Sequence, residues 1–249
     1  MAQGLARTLD RLGQRISRHR PDPLTSVALT VPVFVLYHLG ILLLDKRNGV
    51  DWLSELTLQL LDRSVLGYVA VTLGLGAALL TSMWLLRSRG RLRPVALVPI
   101  LVESVLWALA MLASVGWATA RMEAALVSGL AADLATSLTP LEKLVMAAGA
   151  GFHEELMFRV LLVSGVARLS MRVGSVSALR AFTLSVLISA LAFAAVHHLG
   201  PLGEPLSLEA LIFRSLAGVF LALLYLARGF AVAVYTHTIY DLMVFFVLR

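Results

Sequence analysis

The sequence predicts an all-α fold, a polytopic transmembrane helical bundle of about seven spans, and three observations support this. Hydrophobic residues make up 59% of the 249 residues and charged residues 14%, with a mean hydropathy of +0.87. Soluble domains carry about 25% charged residues, so the balance is that of a membrane protein. Apolar runs close to the roughly 20 residues that cross hydrocarbon recur along the chain. The linkers between them alternate in arginine content, as loops on opposite sides of a membrane do.

Taken in order, residues 1–23 come first and are polar and basic. Leu5, Leu9, Leu12 and Ile16 repeat at helical spacing, with Arg7, Arg11, Arg15 and Arg18 largely on other faces. That pattern describes a basic amphipathic helix on an anionic leaflet, with a disordered basic tail as the alternative. The apolar stretch begins only after Leu24 and no small-residue cleavage site follows it, so the first run is expected to be an uncleaved anchor.

The expected spans are Leu24–Leu44, Val65–Leu86, Val95–Ala118, Leu144–Val166, Phe182–Leu202, Leu206–Leu226 and Phe230–Leu248. Arg214 interrupts the sixth. Arginines gather in the N-terminal segment, in the Arg87–Arg93 loop, at Arg168, Arg172 and Arg180, and at Arg228. Acidic residues gather in the linkers between: Asp45, Asp51, Glu55 and Asp62, then Glu123, Asp133 and Glu142, then Glu204 and Glu209. The positive-inside rule then places the N-terminus in the cytoplasm and the C-terminus outside a cell (inner) membrane. Trp52 with Leu53, Leu56 and Leu60 reads as a short interfacial helix on the outer side.

The net charge of +6 is therefore topology rather than a nucleic-acid footprint, and no nucleic-acid partner is expected. No cysteine is present, which removes disulfide frameworks, thiolate metal sites and cysteine nucleophiles. Neither an internal repeat nor a low-complexity segment is evident.

Within the fourth span, Gly151–Leu162 carries Glu154, Glu155 and Arg159 in otherwise apolar surroundings. Each ionisable residue at the bilayer centre costs roughly 2.5–3.5 kcal/mol on insertion scales. Glu155 and Arg159 are spaced i, i+4 and can pair on one helix face. Glu154 points about 100° away and has no cation at helical spacing in its own helix. The pattern reads as one structural and one working carboxylate.

Two later spans add polar groups. His197 and His198 end the run Phe193–His198, and His237 and Asp241 are one turn apart in the seventh span. If each span is centred in the bilayer, Glu154, His197 and His237 fall within about 8 Å of the midplane. A single membrane histidine is commonly a helix–helix hydrogen bonder. The joint set is much harder to explain as packing.

Glu154-Glu155-x-x-x-Arg159, Phe193-x-x-x-His197 and His237-x-x-x-Asp241, in that order, resemble the CPBP intramembrane proteases, also called the Abi family. These are bacterial relatives of the CAAX prenyl endopeptidases of the Rce1 type. The resemblance covers about residues 141–249, the expected catalytic core, and leaves residues 24–118 as N-terminal transmembrane helices without a motif. The eukaryotic enzymes have Asn where this chain has Asp241, while many bacterial relatives resemble this chain in carrying Asp.

The resemblance implies peptide-bond hydrolysis in a membrane-anchored protein or peptide. Residue chemistry allows it, with Glu154 as general base on water and His197 sharing that water and protonating the leaving amine. His237, steadied by Asp241, stabilises the oxyanion, and Glu155–Arg159 fixes the helix. No cofactor is expected. The rival is zinc held by Glu154, His197 and His237, although the chain lacks HExxH or any short-spaced ligand pair.

Other classes stay open: a bacteriocin-immunity or scaffold protein of the same fold, a sorting enzyme for C-terminal anchors, and a proton-coupled carrier. His153 and His198 are secondary candidates, and Glu103 and His38 have no assigned role.

Overall fold

The computed structural model describes residues 21–44, 59–62, 64–119, 138–174, 176–199 and 205–246. The expected amphipathic helix of the N-terminal segment, and most of the expected Trp52–Leu60 helix, lie outside the described residues. So do Asp45, Asp51, Glu55, Glu123, Asp133 and Glu204.

Seven helices follow one another, with no strand among the described residues. They are α1 (Pro23–Leu43), α2 (Val65–Leu86), α3 (Leu97–Thr119, entered through a 3-10 turn at Pro94–Ala96), α4, α5 (Ala178–Val196), α6 (Leu208–Arg228) and α7 (Phe230–Phe246). The fourth, α4, is a continuous rod in three parts: α-helical over Pro140–Gly149, π-helical over Ala150–Val163 and α-helical again over Ser164–Val173.

Local sequence sets the starts. Asp22 caps α1, accepting the Thr25 N–H at 3.0 Å, with Pro23 in the first turn, where its missing N–H costs nothing. Thr139 and Glu142 form a reciprocal capping box on α4, and Ser207 caps α6 through the Ala210 N–H at 3.0 Å. Gly229 separates α6 from α7 with φ 91° and ψ −178°, a backbone region open essentially to glycine alone.

The helix α7 is the axis of the bundle. Ala231, Val232, Ala233 and Val234 are all 0% exposed, as an all-round apolar helix must be when neighbours surround it. It packs against α1, α3, α4 and α6. Tyr235 donates to the Leu29 carbonyl at 2.7 Å, and the Ala231 N–H donates to Ser26 Oγ at 2.9 Å, fixing α7 to α1. By contrast α2 is peripheral, with Tyr68 its buried residue and Leu66, Leu73 and Leu80 exposed as a lipid-facing surface.

Among the described residues, five helices are long and apolar enough to cross a membrane: α1, α2, α3 with its 3-10 turn, α5 and α6. The other two depart from the expected spans. Phe230–Phe246, the described part of α7, is one of the shorter apolar helices, and its first half is buried among its neighbours. The rod α4 extends past Leu144–Val166 at both ends, and its middle is π-helical, a distinction that apolar patterning does not carry.

Expected within Phe182–Leu202, α5 instead runs Ala178–Val196. His197 is therefore its C-cap and not a mid-span residue. In the sequence, Leu199 and Leu202 extend the apolar run past the helix end.

Candidate active site

The site forms where the π-helical middle of α4 crosses α7 and meets the end of α5. Gly151 makes the crossing possible. A Cβ there would lie 2.0 Å from Thr238 Oγ1 and 2.9 Å from the Val234 carbonyl oxygen, so the two backbones approach too closely for any side chain. That contact sets the next turn of α4, with Glu154 and Glu155, against His237. On the other side, Ser189 of α5 donates to the Phe158 carbonyl at 2.8 Å. Gly218 of α6 lets Ala190 approach so closely that a Cβ would be 2.9 Å from its Cα.

Glu155 is fully buried and serves two partners. Its Oε2 lies 3.1 Å from Arg159 Nε, an ion pair without aligned hydrogen-bond geometry. Its Oε1 lies 2.9 Å from His237 Nδ1. The Arg159 guanidinium, also fully buried, sits 4.6 Å from the centre of the Phe193 ring, a cation–π contact that adds to its neutralisation. The i, i+4 pair read from the sequence is thus present, and His237 is a third member of it.

Glu154 faces two imidazoles. Its carboxylate oxygens lie 3.8 Å from His197 Nε2 and 3.9 Å from His237 Nε2. Both rings are held from behind. His197 Nδ1 is 2.7 Å from the Phe193 carbonyl, which only accepts, so Nδ1 carries the hydrogen and Nε2 points at Glu154. His237 Nδ1 faces Glu155 in the same way, again leaving Nε2 towards Glu154. Separations of 3.8 and 3.9 Å suit groups that share one small hydrogen-bonding molecule between them.

Asp241 corrects one expectation. It was to orient His237, but its Oδ2 is 3.7 Å from Nε2, the nitrogen that faces Glu154, while Glu155 holds Nδ1. The reason is geometric: one turn along α7 puts Asp241 beside the front of the ring, and only α4 reaches its back. The side chains of His197 and Asp241 are 15% and 21% exposed whereas Glu155 is sealed, so the site opens on the His197–Asp241 side.

Residues 136–243 match the family described as type II CAAX prenyl endopeptidase Rce1-like. This region of the chain is Rce1-like. This bears out the resemblance read from the three motifs, and the matched stretch contains Glu154, Glu155, Arg159, His197, His237 and Asp241. No curated protein and no solved structure matches the chain. Similarity to this family points to a hydrolase of the CAAX-protease type, and the helices make the chain a multi-pass membrane protein.

Within the Rce1-like domain, Arg214 of α6 acts electrostatically on His197, Tyr240 and Asp241. The sequence presented it only as an interruption of an apolar span. His153 turns away from Glu154 towards α1, with its ring centroid 4.7 Å from that of Tyr37 and 5.2 Å from that of His38. His198 follows His197 in the turn after α5.

Outside the domain, His38 lies 2.9 Å from the Tyr68 hydroxyl and 3.1 Å from Thr72 Oγ1. Glu103 pairs with Arg228 and accepts from Trp107 Nε1 at 3.1 Å, away from the Glu154 cluster. Among the described residues no group of three or more His, Asp or Glu side chains is arranged to hold a metal ion.

Proposed function

We propose that the protein is an intramembrane endopeptidase that hydrolyses a peptide bond in a membrane-associated protein or peptide, using water activated by Glu154. The observation that carries this reading is the pair of imidazoles, each tied at Nδ1 and each presenting Nε2 to Glu154 at 3.8 and 3.9 Å. A base and two histidines aimed at one point are what acyl transfer to water requires.

In this mechanism water sits between Glu154 and His197. Glu154 takes one proton as the water oxygen attacks the carbonyl carbon, and the carbonyl oxygen becomes an oxyanion. His237, charged amid Glu154, Glu155 and Asp241, donates from Nε2 to that oxyanion. The C–N bond then breaks. The proton held by Glu154 passes through His197 Nε2 to the leaving amine, which restores the carboxylate. Glu155 and Arg159 act through His237 and the helix rather than on the substrate.

The bilayer-facing surface and the opening beside Asp241 suit a membrane-anchored substrate, with clipping of C-terminal anchors as one such task. No cofactor enters this scheme, and the N-terminus is cytoplasmic in it. The test is comparative terminal proteomics of membranes from cells carrying wild type or Glu154→Gln. The expected result is at least one membrane protein whose new terminus is lost in the variant. Identical termini would leave the non-hydrolytic reading, an immunity or scaffold protein, in its place.

A further inference from the structure

A second polar cavity lies away from Glu154, with a volume of about 830 Å³. It opens between the start of α1, the loop after α2, the first turns of α3 and the end of α6. Four arginines line it, Arg87, Arg91, Arg93 and Arg228, against two carboxylates, Asp22 and Glu103.

Both carboxylates are already committed. Asp22 Oδ1 accepts the Thr25 N–H at 3.0 Å, and its Oδ2 accepts the Thr25 hydroxyl at 2.7 Å. Glu103 takes Arg228 in a two-point pair, with Nη2 at 2.8 Å from Oε2, and takes Trp107 as well. Arg87, Arg91 and Arg93 are left as surplus positive charge around the cavity. Arg87 stacks on Trp84 at 4.7 Å, a contact that leaves the edge of its guanidinium able to donate.

The arginine loop is built in place rather than draped over the surface. Thr25 Oγ1 lies 2.9 Å from the Arg91 carbonyl oxygen and accepts the Arg93 N–H at 3.1 Å. Gly90 approaches Asp22 so closely that a Cβ would lie 2.3 Å from Oδ1. The other wall is apolar, formed by Ala96, Pro99 and the buried Ile100.

We propose that this cavity binds the phosphate headgroup of an anionic membrane lipid, with the arginine forks on the phosphate and the lipid body against Ala96, Pro99 and Ile100. Guanidinium forks match phosphate oxygens two at a time, and basic pockets between membrane helices suit anionic headgroups. Inorganic phosphate offers phosphate oxygens to the arginine forks but nothing for the apolar wall. The site shares no residue with the Glu154 cluster, so it does not depend on the proposed chemistry.

The test uses the purified full chain in detergent, with thermal midpoint and native mass spectrometry as readouts. Phosphatidylglycerol, phosphatidylcholine and inorganic phosphate are added separately. Two double variants remove equal charge: R91Q/R93Q from the cavity, and R89Q/R172Q from arginines outside it.

The expected result is that phosphatidylglycerol raises the wild-type midpoint and one copy stays bound in the mass spectrum. Phosphatidylcholine and phosphate should do neither. R91Q/R93Q should lose at least half of the shift, and R89Q/R172Q should keep it. Equal shifts with phosphatidylcholine, or with phosphate alone, would overturn the proposal. So would equal loss in both double variants. If R91Q/R93Q does not fold, the wild-type spectrum decides: no retained anionic lipid overturns the proposal on its own.

Discussion

Glu155 holds His237, with Oε1 2.9 Å from Nδ1 across 82 residues of sequence. The same carboxylate neutralises Arg159 at 3.1 Å, so one buried group ties the π-helical part of α4 both to its own next turn and to the central helix. Glu155→Gln should therefore damage two things at once. Arg159 is left buried and uncompensated, at a cost of about 3–5 kcal/mol, and His237 loses the partner that fixes its ring. Thermal unfolding in detergent should show a lower midpoint, and cleavage should fall with it. A Gln variant with the wild-type midpoint and full cleavage would remove Glu155 from this role.

Asp241 lies at the front of His237, 3.7 Å from Nε2, the nitrogen that also faces Glu154. Asp241→Asn should retain substantial activity, because the amide keeps the shape and can itself donate to an oxyanion. Asp241→Ala should lose roughly 10²–10³-fold, the usual cost of one oxyanion stabiliser. Rates for the two variants measured side by side check this, and equal losses would mean that the carboxylate charge itself is essential.

Much of this site was legible because it obeys short spacing. Glu155 and Arg159, and His237 and Asp241, are each one helical turn apart, and both pairs are in contact range. What crosses between helices was not legible. The Glu155–His237 bond depends on Gly151 letting α4 and α7 touch, and a glycine in an apolar run announces no partner. The π-helical stretch was hidden for another reason: the run is apolar on nearly every face, so its pattern does not fix the number of residues per turn.

The end of α5 was misplaced because apolar residues continue beyond it, which made His197 look like a mid-span residue when it caps the helix. The loop arginines were read correctly as a cluster, but their cavity needed Thr25, Glu103 and Arg228 from three other helices to appear.

Zinc is the chemical rival of this scheme, with Glu154, His197 and His237 as its ligands. Purified protein should contain no stoichiometric zinc, and a chelator should leave cleavage unchanged. Elemental analysis and rates before and after chelation check both points. One equivalent of zinc that tracks activity, and is lost in His197→Ala, would replace the metal-free mechanism.

Topology has its own test. Reporter fusions at Arg89 and Arg172 should read cytoplasmic and fusions at Asp51 and Glu204 external, following the arginine distribution. An external signal at Arg172 would break the alternation and move the opening beside Asp241 to the other face of the membrane.

The most direct measurement is the single-turnover cleavage rate of Glu154→Gln in proteoliposomes, beside its thermal midpoint. The substrate is the protein whose terminus depends on this chain. Glu154 faces His197 and His237 but does not carry the Arg159 pair. Replacing it should therefore remove the base and spare the fold. The account predicts a loss of about 10²–10⁴-fold in rate with the midpoint unchanged. A Glu154→Gln protein that cleaves at the wild-type rate would contradict it.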